Sequence, residues 1–216
     1  MSLLDFHKEI KGYTQDRQPG IEADMNPKPV AELDEYKAAG KLKGKVALIT
    51  GGDSGIGRSV AILYAKEGAN VAIGYYNEHQ DAEDTVKRLK ELGVYAKAYA
   101  HDLKDEQQSK KLIDDVVKDF GSLNILVNNG GVQFPRDNFE DITPDQVKET
   151  FMTNIFGMMF LSQAAVPHLS KGDAIINTTS VTAYRGSGHL IDYSATKGAI
   201  AVSYTHLRAH ETSLHL

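Results

Sequence analysis

Hydrophobic and polar positions repeat along the chain in two alternating registers, and each switch between them predicts an element. Val46–Thr50 (VALIT) is a continuous apolar run bounded by lysine and glycine, the pattern of a parallel strand buried on both faces. Arg58–Glu67 is spaced as a helix and closes at Gly68. Val71–Tyr75 is a second strand, followed by the charged amphipathic helix Asp81–Leu92, which ends at Gly93. Tyr95–Ala100 is a third strand. Asp105–Phe120 is a helix carrying Leu112, Ile113, Val116 and Val117, with Gly121 to end it. Leu123–Val127 is a fourth strand. Thr143 and Pro144 supply an N-cap and a first-turn proline for a long helix reaching about Leu169. Ala174–Asn177 is a fifth strand, and a final helix starts near Ile191.

Five such alternations call for an α/β fold: a doubly wound parallel sheet, helices on both faces, right-handed crossovers, one domain. Residues 1–40 do not share the pattern. GYTQDRQPGIEADMNPKPV holds three of the six prolines and keeps no period. It reads as an extended arm, with a short helix near Ala31–Ala39. The domain proper then spans residues 41–202.

Composition narrows the function. The chain of 216 residues is 41% hydrophobic and 25% charged, a globular balance, with a formal charge of −5 and no basic patch for nucleic acid. It has no cysteine, which excludes disulfides and thiolate zinc sites. The longest apolar run, near Ile155–Leu161, is far too short to span a bilayer, and MSLLDFHKEIKGY has no secretory apolar core. The expectation is a soluble, cytoplasmic protein.

The chemistry gathers at the strand ends. TGGDSGIG, Thr50 to Gly57, joins the first strand to the first helix. Glycines there let a phosphate approach the backbone, and the helix start offers unpaired N–H groups and the positive end of a dipole. Gly51, Gly55 and Gly57 are spaced G-x-x-x-G-x-G rather than G-x-G-x-x-G, yet the strand–turn–helix context makes this a dinucleotide cradle. An acidic side chain at the end of the second strand selects NAD and a nearby basic one admits NADP. This strand ends Gly74-Tyr75-Tyr76-Asn77, so the missing acid leans toward NADP. Arg58 is either a phosphate ligand or a surface arginine. Tyr193 and Lys197, four apart, share a helix face, where an ammonium favours the phenolate and suits it to proton transfer at neutral pH. Ser180 ends the fifth strand; Asn128, Asn129, Gly130 and Gly131 follow the fourth; Asn154 and Gly157 interrupt the long helix. His101, His168 and His189 lack ligand spacing and read as surface or packing residues.

The set TGGDSGIG, NNGG, Asn154, Ser180 and Tyr193-Ser-Ala-Thr-Lys197 resembles the short-chain dehydrogenase/reductase family, from Lys41 to Ala201. The arm with QPGIEADMNPKP resembles its glucose/ribitol-dehydrogenase-like or general-stress subgroup. The resemblance implies a Rossmann-like sheet and an NAD(P)-dependent oxidoreductase that moves a hydride between nicotinamide and a carbonyl/alcohol substrate. It implies Tyr193 as general acid/base, Lys197 as its partner and holder of the nicotinamide ribose, Ser180 on the substrate oxygen, and Asn154 holding a water in a relay through Lys197. Cofactor contacts would come from Gly51, Asp53, Ser54, Gly55, Ile56 and Gly57 in the turn, with Tyr75, Tyr76, Asp102, Leu103, Asn129, Gly130, Tyr193 and Lys197 around it. Asn128 would anchor the strand edge. The family's usual alanine is Gly130 here, the loss of one methyl group. A homotetramer is implied, with no nucleic acid, membrane or metal partner.

The end of the chain departs from the resemblance. SYTHLRAHETSLHL, residues 203–216, loses the apolar helical register, and the family's last strands and helices are lacking. His206 and His210 have helical spacing but no glutamate between them, so a zinc site is not expected. The tail reads as non-native, a translated adaptor. The alternative to an active oxidoreductase is an inactive nucleotide-binding fragment or a non-catalytic regulatory paralogue.

Overall fold

The computed structural model describes residue 15, residues 17–33 and residues 35–211, with side chains described at all of these except 23 and 204–211. Five parallel strands form one sheet in the order β3-β2-β1-β4-β5. They are β1 (Val46–Thr50), β2 (Asn70–Tyr75), β3 (Ala96–Ala100), β4 (Ile125–Asn128) and β5 (Ala174–Asn177). The helices are α1 (Gly55–Lys66), α2 (His79–Glu91), α3 (Glu106–Phe120), α4 (Pro144–Phe151), α5 (Gly157–Ala165), α6 (Thr182–Arg185) and α7 (Ile191–Glu211).

Alternation within β1 explains its unbroken apolar run. Ala47 and Ile49 face a core built with α1 and α2, through Ala61, Ile62, Ala65, Ala82 and Leu89. Val46 and Leu48 face the opposite core, with Leu112, Ile113 and Val116 of α3 and Leu161 and Ala165 of α5. Both faces are covered, as a parallel sheet requires. The chain runs outward from β1 through β2 to β3, then returns to the other side of β1 as β4. The crevice where this direction reverses, at the carboxyl ends of β1 and β4, is where such sheets bind ligands.

Several boundaries differ from the expected ones. Helix α1 starts at Gly55, three residues before Arg58, because the glycine turn itself winds into the helix. β4 starts at Ile125; Leu123 is buried ahead of it. The expected single helix to Leu169 is two helices joined by a π-helical turn, Met152–Phe156, and it ends in a 3-10 turn, Val166–His168. Pro167 has no N–H for the next helical bond, which accounts for the earlier stop. No helix forms among the described residues between Ala31 and Ala39; a 3-10 turn lies earlier, at Glu22–Asp24. The polar groups of that segment are spent on docking instead. The Tyr36 hydroxyl donates to Glu67, whose carboxylate also accepts the N–H groups of Ala39 at 3.1 Å and Lys41 at 2.7 Å. Glu32 reaches Lys66 and Arg88 at 2.7 and 2.8 Å. The backbone of α7 continues through residues 203–211, past the expected loss of register, while residues 212–216 and the tail histidine side chains lie outside the described residues.

Candidate active site

The carboxyl ends of β1 to β4 and the first turns of α7 enclose a cavity of about 580 Å³. The turn after β1 lines it with Gly51, Asp53, Ser54, Gly55 and Ile56. The ends of β2 and β3 add Tyr75, Tyr76, Asp102 and Leu103; the loop after β4 adds Asn129 and Gly130; α7 adds Tyr193 and Lys197. Three expected residues are not in this wall: Gly57, Asn154 and Ser180. A second hollow, about 680 Å³, lies between α2 and the edge strand β3 and carries none of the candidate residues.

Gly57 stands behind the wall and shapes it. A Cβ there would fall 1.9 Å from the Gly51 carbonyl oxygen and 2.8 Å from Asn129 Nδ2, so no side chain fits. Gly51 and Gly55 have φ of 60° and 51°, left-handed backbone that glycine tolerates best. Thr50 locks the turn to the β4 loop: its hydroxyl accepts the N–H groups of Asn129 at 3.0 Å and Gly130 at 2.9 Å. Asn129 Nδ2 returns a bond to the Thr50 carbonyl at 3.1 Å. Sequence reasoning quoted Thr50 without assigning it this role.

Tyr193 and Lys197 lie one turn apart on α7, with Lys197 Nζ 5.4 Å from the centre of the tyrosine ring. The ammonium donates to the Thr178 carbonyl at 2.9 Å, just past β5, and the Thr179 hydroxyl donates back to the Lys197 carbonyl at 2.9 Å. Burial lowers the Lys197 pKa to about 8, since leaving water disfavours the charged form. Ser180 is half-buried in a local turn three residues past the end of β5, its hydroxyl oxygen accepting from Thr182 N–H at 3.2 Å and Thr182 Oγ1 at 3.0 Å.

Asn154 sits in the π-helical turn at 2% exposure. Its Oδ1 accepts Val132 N–H at 2.8 Å, while Nδ2 donates to the Val132 carbonyl at 2.9 Å and Thr196 Oγ1 at 3.1 Å. It clamps the β4 loop to α7. It also shares a void of about 10 Å³ with Lys197, Asn128 and Thr178. Asn128 donates to Ser162 Oγ at 3.1 Å and Asn177 Oδ1 at 2.8 Å, joining β4 to α5 and β5; its own Oδ1 is buried without a partner.

The end of β2 holds an acid that the sequence reading passed over. Glu78 lines the cavity, two residues beyond Tyr76, but its charge is engaged: Arg17 of the arm reaches Glu78 at 2.7 Å and Asn77 at 2.8 Å. Gln18 and Pro19 of the arm also line the cavity. Arg58 is no surface arginine, because its guanidinium pairs with Glu22. Lys104 lies in the wall with Glu149 at 2.9 Å and Asp102 at 3.7 Å. Asp53 is buried, and burial with Glu78 and Asp81 nearby pushes its carboxyl up to about 6. His101 is buried at the end of β3 with neither ring nitrogen partnered, and burial lowers its pKa; His168 is exposed and His189 lies 3.5 Å from Asp137. No metal-binding cluster occurs among the described residues, and no described helix is long and apolar enough to cross a membrane.

With this geometry in place, known proteins give a consistent match. The family model described as short chain dehydrogenase matches residues 45–215. General stress protein 39 of Bacillus subtilis (strain 168) is 52% identical over 198 residues, covering 92% of this chain and 69% of that protein. The glucose and ribitol dehydrogenase of Daucus carota is 46% identical over 197 residues, covering 88% and 67%. Among solved structures, a short chain dehydrogenase from Burkholderia cenocepacia J2315 in complex with NADP aligns with a TM-score of 0.76 at 35% identity, over 80% of this chain and 70% of that one. The chain spans about two thirds of the length of these relatives.

Proposed function

Because the chain belongs to the short chain dehydrogenase family of oxidoreductases, we propose that it binds a nicotinamide dinucleotide in the 580 Å³ cavity and moves a hydride between it and a carbonyl/alcohol substrate. The observation that carries this reading is the convergence on one cavity of the glycine turn and the Tyr193–Lys197 pair, which come from opposite ends of the domain. The residues fit the group: the absence of a side chain at Gly57 lets the turn close tightly on Gly51, and Gly55 and Ile56 bring the helix start into the cavity wall with N–H donors suited to a phosphate. Gly51, Asp53, Ser54, Gly55, Ile56, Asn129 and Gly130 would hold the diphosphate end. Tyr75, Tyr76, Asp102 and Leu103 would hold the adenosine, and Lys197 the nicotinamide ribose.

The bound nicotinamide would supply the hydride donor or acceptor. The protein's own part is proton transfer and orientation. Tyr193 gives its phenolic proton to a substrate oxygen in reduction and takes one back in oxidation. Lys197 keeps a positive charge over its ring near neutral pH. Ser180 already accepts two bonds, so its own hydroxyl proton is the one left to hold the substrate oxygen. The void beside Asn154 and Lys197 has about the minimum volume for one water, and the orphaned Asn128 Oδ1 offers that water an acceptor, which supports a relay at this point.

NADP is the cofactor this reading favours. Tyr75 and Tyr76 bring no charge to the end of β2, and Arg17 offsets the carboxylate of Glu78. The relative from Burkholderia cenocepacia was solved in complex with NADP. Titration of NADPH and NADH against the chain, followed by nicotinamide fluorescence, tests both points. Saturable NADPH binding is expected; tighter NADH binding reverses the preference, and binding of neither removes the cofactor reading. In a protein that carries this sequence at the length of its relatives, Tyr193→Phe should abolish turnover and leave NADPH binding intact. Retained turnover would take the proton-transfer role from Tyr193.

A further inference from the structure

Helix α1 begins without a side-chain cap: Ser54 occupies the N-cap position and its hydroxyl bonds to no N–H of the first turn. The first N–H groups of a helix need acceptors from elsewhere. Arg58 N–H has the Ser54 carbonyl at 3.0 Å. Gly55 N–H finds its acceptor 33 residues away, in the arm, where Glu22 Oε2 lies at 2.7 Å. The other oxygen of the same carboxylate pairs with the Arg58 guanidinium. Ile56 and Gly57 are left without a backbone acceptor among the described residues.

Glu22 is itself held firmly. It is only 8% exposed, and its backbone N–H donates to Asp81 Oδ2, in the first turn of α2, at 3.0 Å. On its N-terminal side Gln18 and Pro19 form part of the cavity wall, and Arg17 is tied to the end of β2. The arm therefore borders the cavity through Arg17, Gln18 and Pro19 and meets the cradle through Glu22, whose carboxylate occupies the spot where a phosphate would otherwise meet Gly55 N–H and Arg58. Gly55, like Gly51, has left-handed φ, 51°, a conformation that glycine tolerates best, and the bond to Glu22 fixes the peptide that carries this N–H.

We propose that Glu22 is a positioning residue for dinucleotide binding. By taking Gly55 N–H and Arg58, it sets the glycine turn so that the N–H of Ile56, which lines the cavity, is the donor presented to a phosphate oxygen. The arm is then a working part of the cofactor site rather than a tether. This inference rests on the dinucleotide reading above and assigns Arg58 to the arm instead of to the ligand.

The test uses the whole chain with NADPH, ADP and adenosine as probes, in wild type, Glu22→Ala and Glu22→Gln, each titrated well below its own unfolding temperature. Gln keeps an oxygen acceptor for Gly55 N–H; Ala removes it. Glu22→Ala should bind NADPH and ADP at least roughly tenfold more weakly, the size of one lost charge-assisted bond. Glu22→Gln should recover most of that affinity, and adenosine, which has no phosphate, should bind all three alike. Unchanged or tighter NADPH binding in Glu22→Ala overturns the proposal, the tighter result marking Glu22 as a competitor of the phosphate. A parallel loss of adenosine binding overturns it in favour of a purely structural role. If Glu22→Ala does not fold, Glu22→Asp, too short to span both partners, replaces it with the same expectations. Wild type that binds none of the probes removes the dinucleotide reading itself, an outcome distinct from the others.

Discussion

Replacing Asp53 with asparagine should stabilise the protein, and only above the pH at which Asp53 ionises. Asp53 is 4% exposed in the glycine turn, and its backbone carbonyl accepts the Thr85 hydroxyl at 2.8 Å, which fixes the residue against α2. Burial raises its carboxyl pKa from 3.8 to about 6, with the charges of Glu78 and Asp81 adding to the rise. Between these values the folded chain keeps a proton that the unfolded chain releases. Folding stability contributed by this group therefore falls as pH rises from about 4 to about 6, and stays lower above that. At about 1.4 kcal/mol per pH unit the loss is at most about 3 kcal/mol. Asparagine cannot ionise, and its amide can donate toward the two neighbouring carboxylates. The stability difference between Asp53→Asn and wild type should thus be near zero at about pH 3, reach about 1 kcal/mol at about pH 4.5 and grow toward about 3 kcal/mol at about pH 8. Urea unfolding followed by far-UV circular dichroism at four pH values measures it, and titrating groups other than the neighbouring Glu78 and Asp81 cancel in the difference. Two curves that run parallel across this range would refute the argument.

Three further substitutions probe separate parts of the site. Gly57→Ala puts a Cβ 1.9 Å from the Gly51 carbonyl oxygen, so the turn must move; NADPH affinity should drop at least tenfold and stability by about 1–3 kcal/mol, and wild-type binding by titration would contradict the close approach. Asn154→Ala removes three hydrogen bonds from a buried amide; a urea-unfolding cost of about 2–4 kcal/mol is expected, and a cost well under about 1 kcal/mol would show that the clamp does not hold. His101 has its pKa lowered by burial, so as pH falls through 6.5 the unfolded state takes up a proton first and stability declines; His101→Leu should flatten that decline in thermal melts, and an unchanged acid slope would exonerate His101.

The sequence made the sheet legible because both faces are covered, and a strand covered on both faces writes itself as an unbroken apolar run such as VALIT. The glycine turn and the Tyr193–Lys197 pair were legible for a related reason: their spacing lies within one element. What was not legible depends on contacts far apart in the chain. Arg17 meets Glu78 across 61 residues and Glu22 meets Arg58 across 36, and neither separation leaves a period to read. The arm keeps no period, and its docking groups take Ala31–Ala39 out of the helix expected there. Pro167 was an available signal for the early end of α5, since a proline stops the ladder whatever the apolar pattern around it. Asn154 and Gly157 did mark a break in the long helix, and the π-helical turn is the form it takes, because an extra residue per turn lets Asn154 reach both Val132 and Thr196.

Gly130 shows why a departure from a family pattern needs a three-dimensional reading. As a sequence feature it is only a missing methyl group. In space, a Cβ at Gly130 would come within 2.9 Å of Leu103 Cδ1 and 3.3 Å of Thr50 Oγ1. On the other side of the same segment, a Cβ at Gly157 would lie 2.7 Å from the Leu103 carbonyl oxygen and 2.8 Å from its Cβ. Leu103 is therefore wedged between two glycines, one from the loop after β4 and one from the start of α5. Leu103 forms part of the cavity wall next to Asp102, where the adenosine end of a dinucleotide would lie. An alanine at position 130 has its tightest contact with the far end of a flexible leucine, which a rotamer change relieves, and a lesser one with Thr50 Oγ1, whereas an alanine at 157 meets backbone that cannot give way. The two glycines thus differ in what they control: Gly157 sets where the segment after β3 runs, and Gly130 sets how far the Leu103 side chain leans into the cavity.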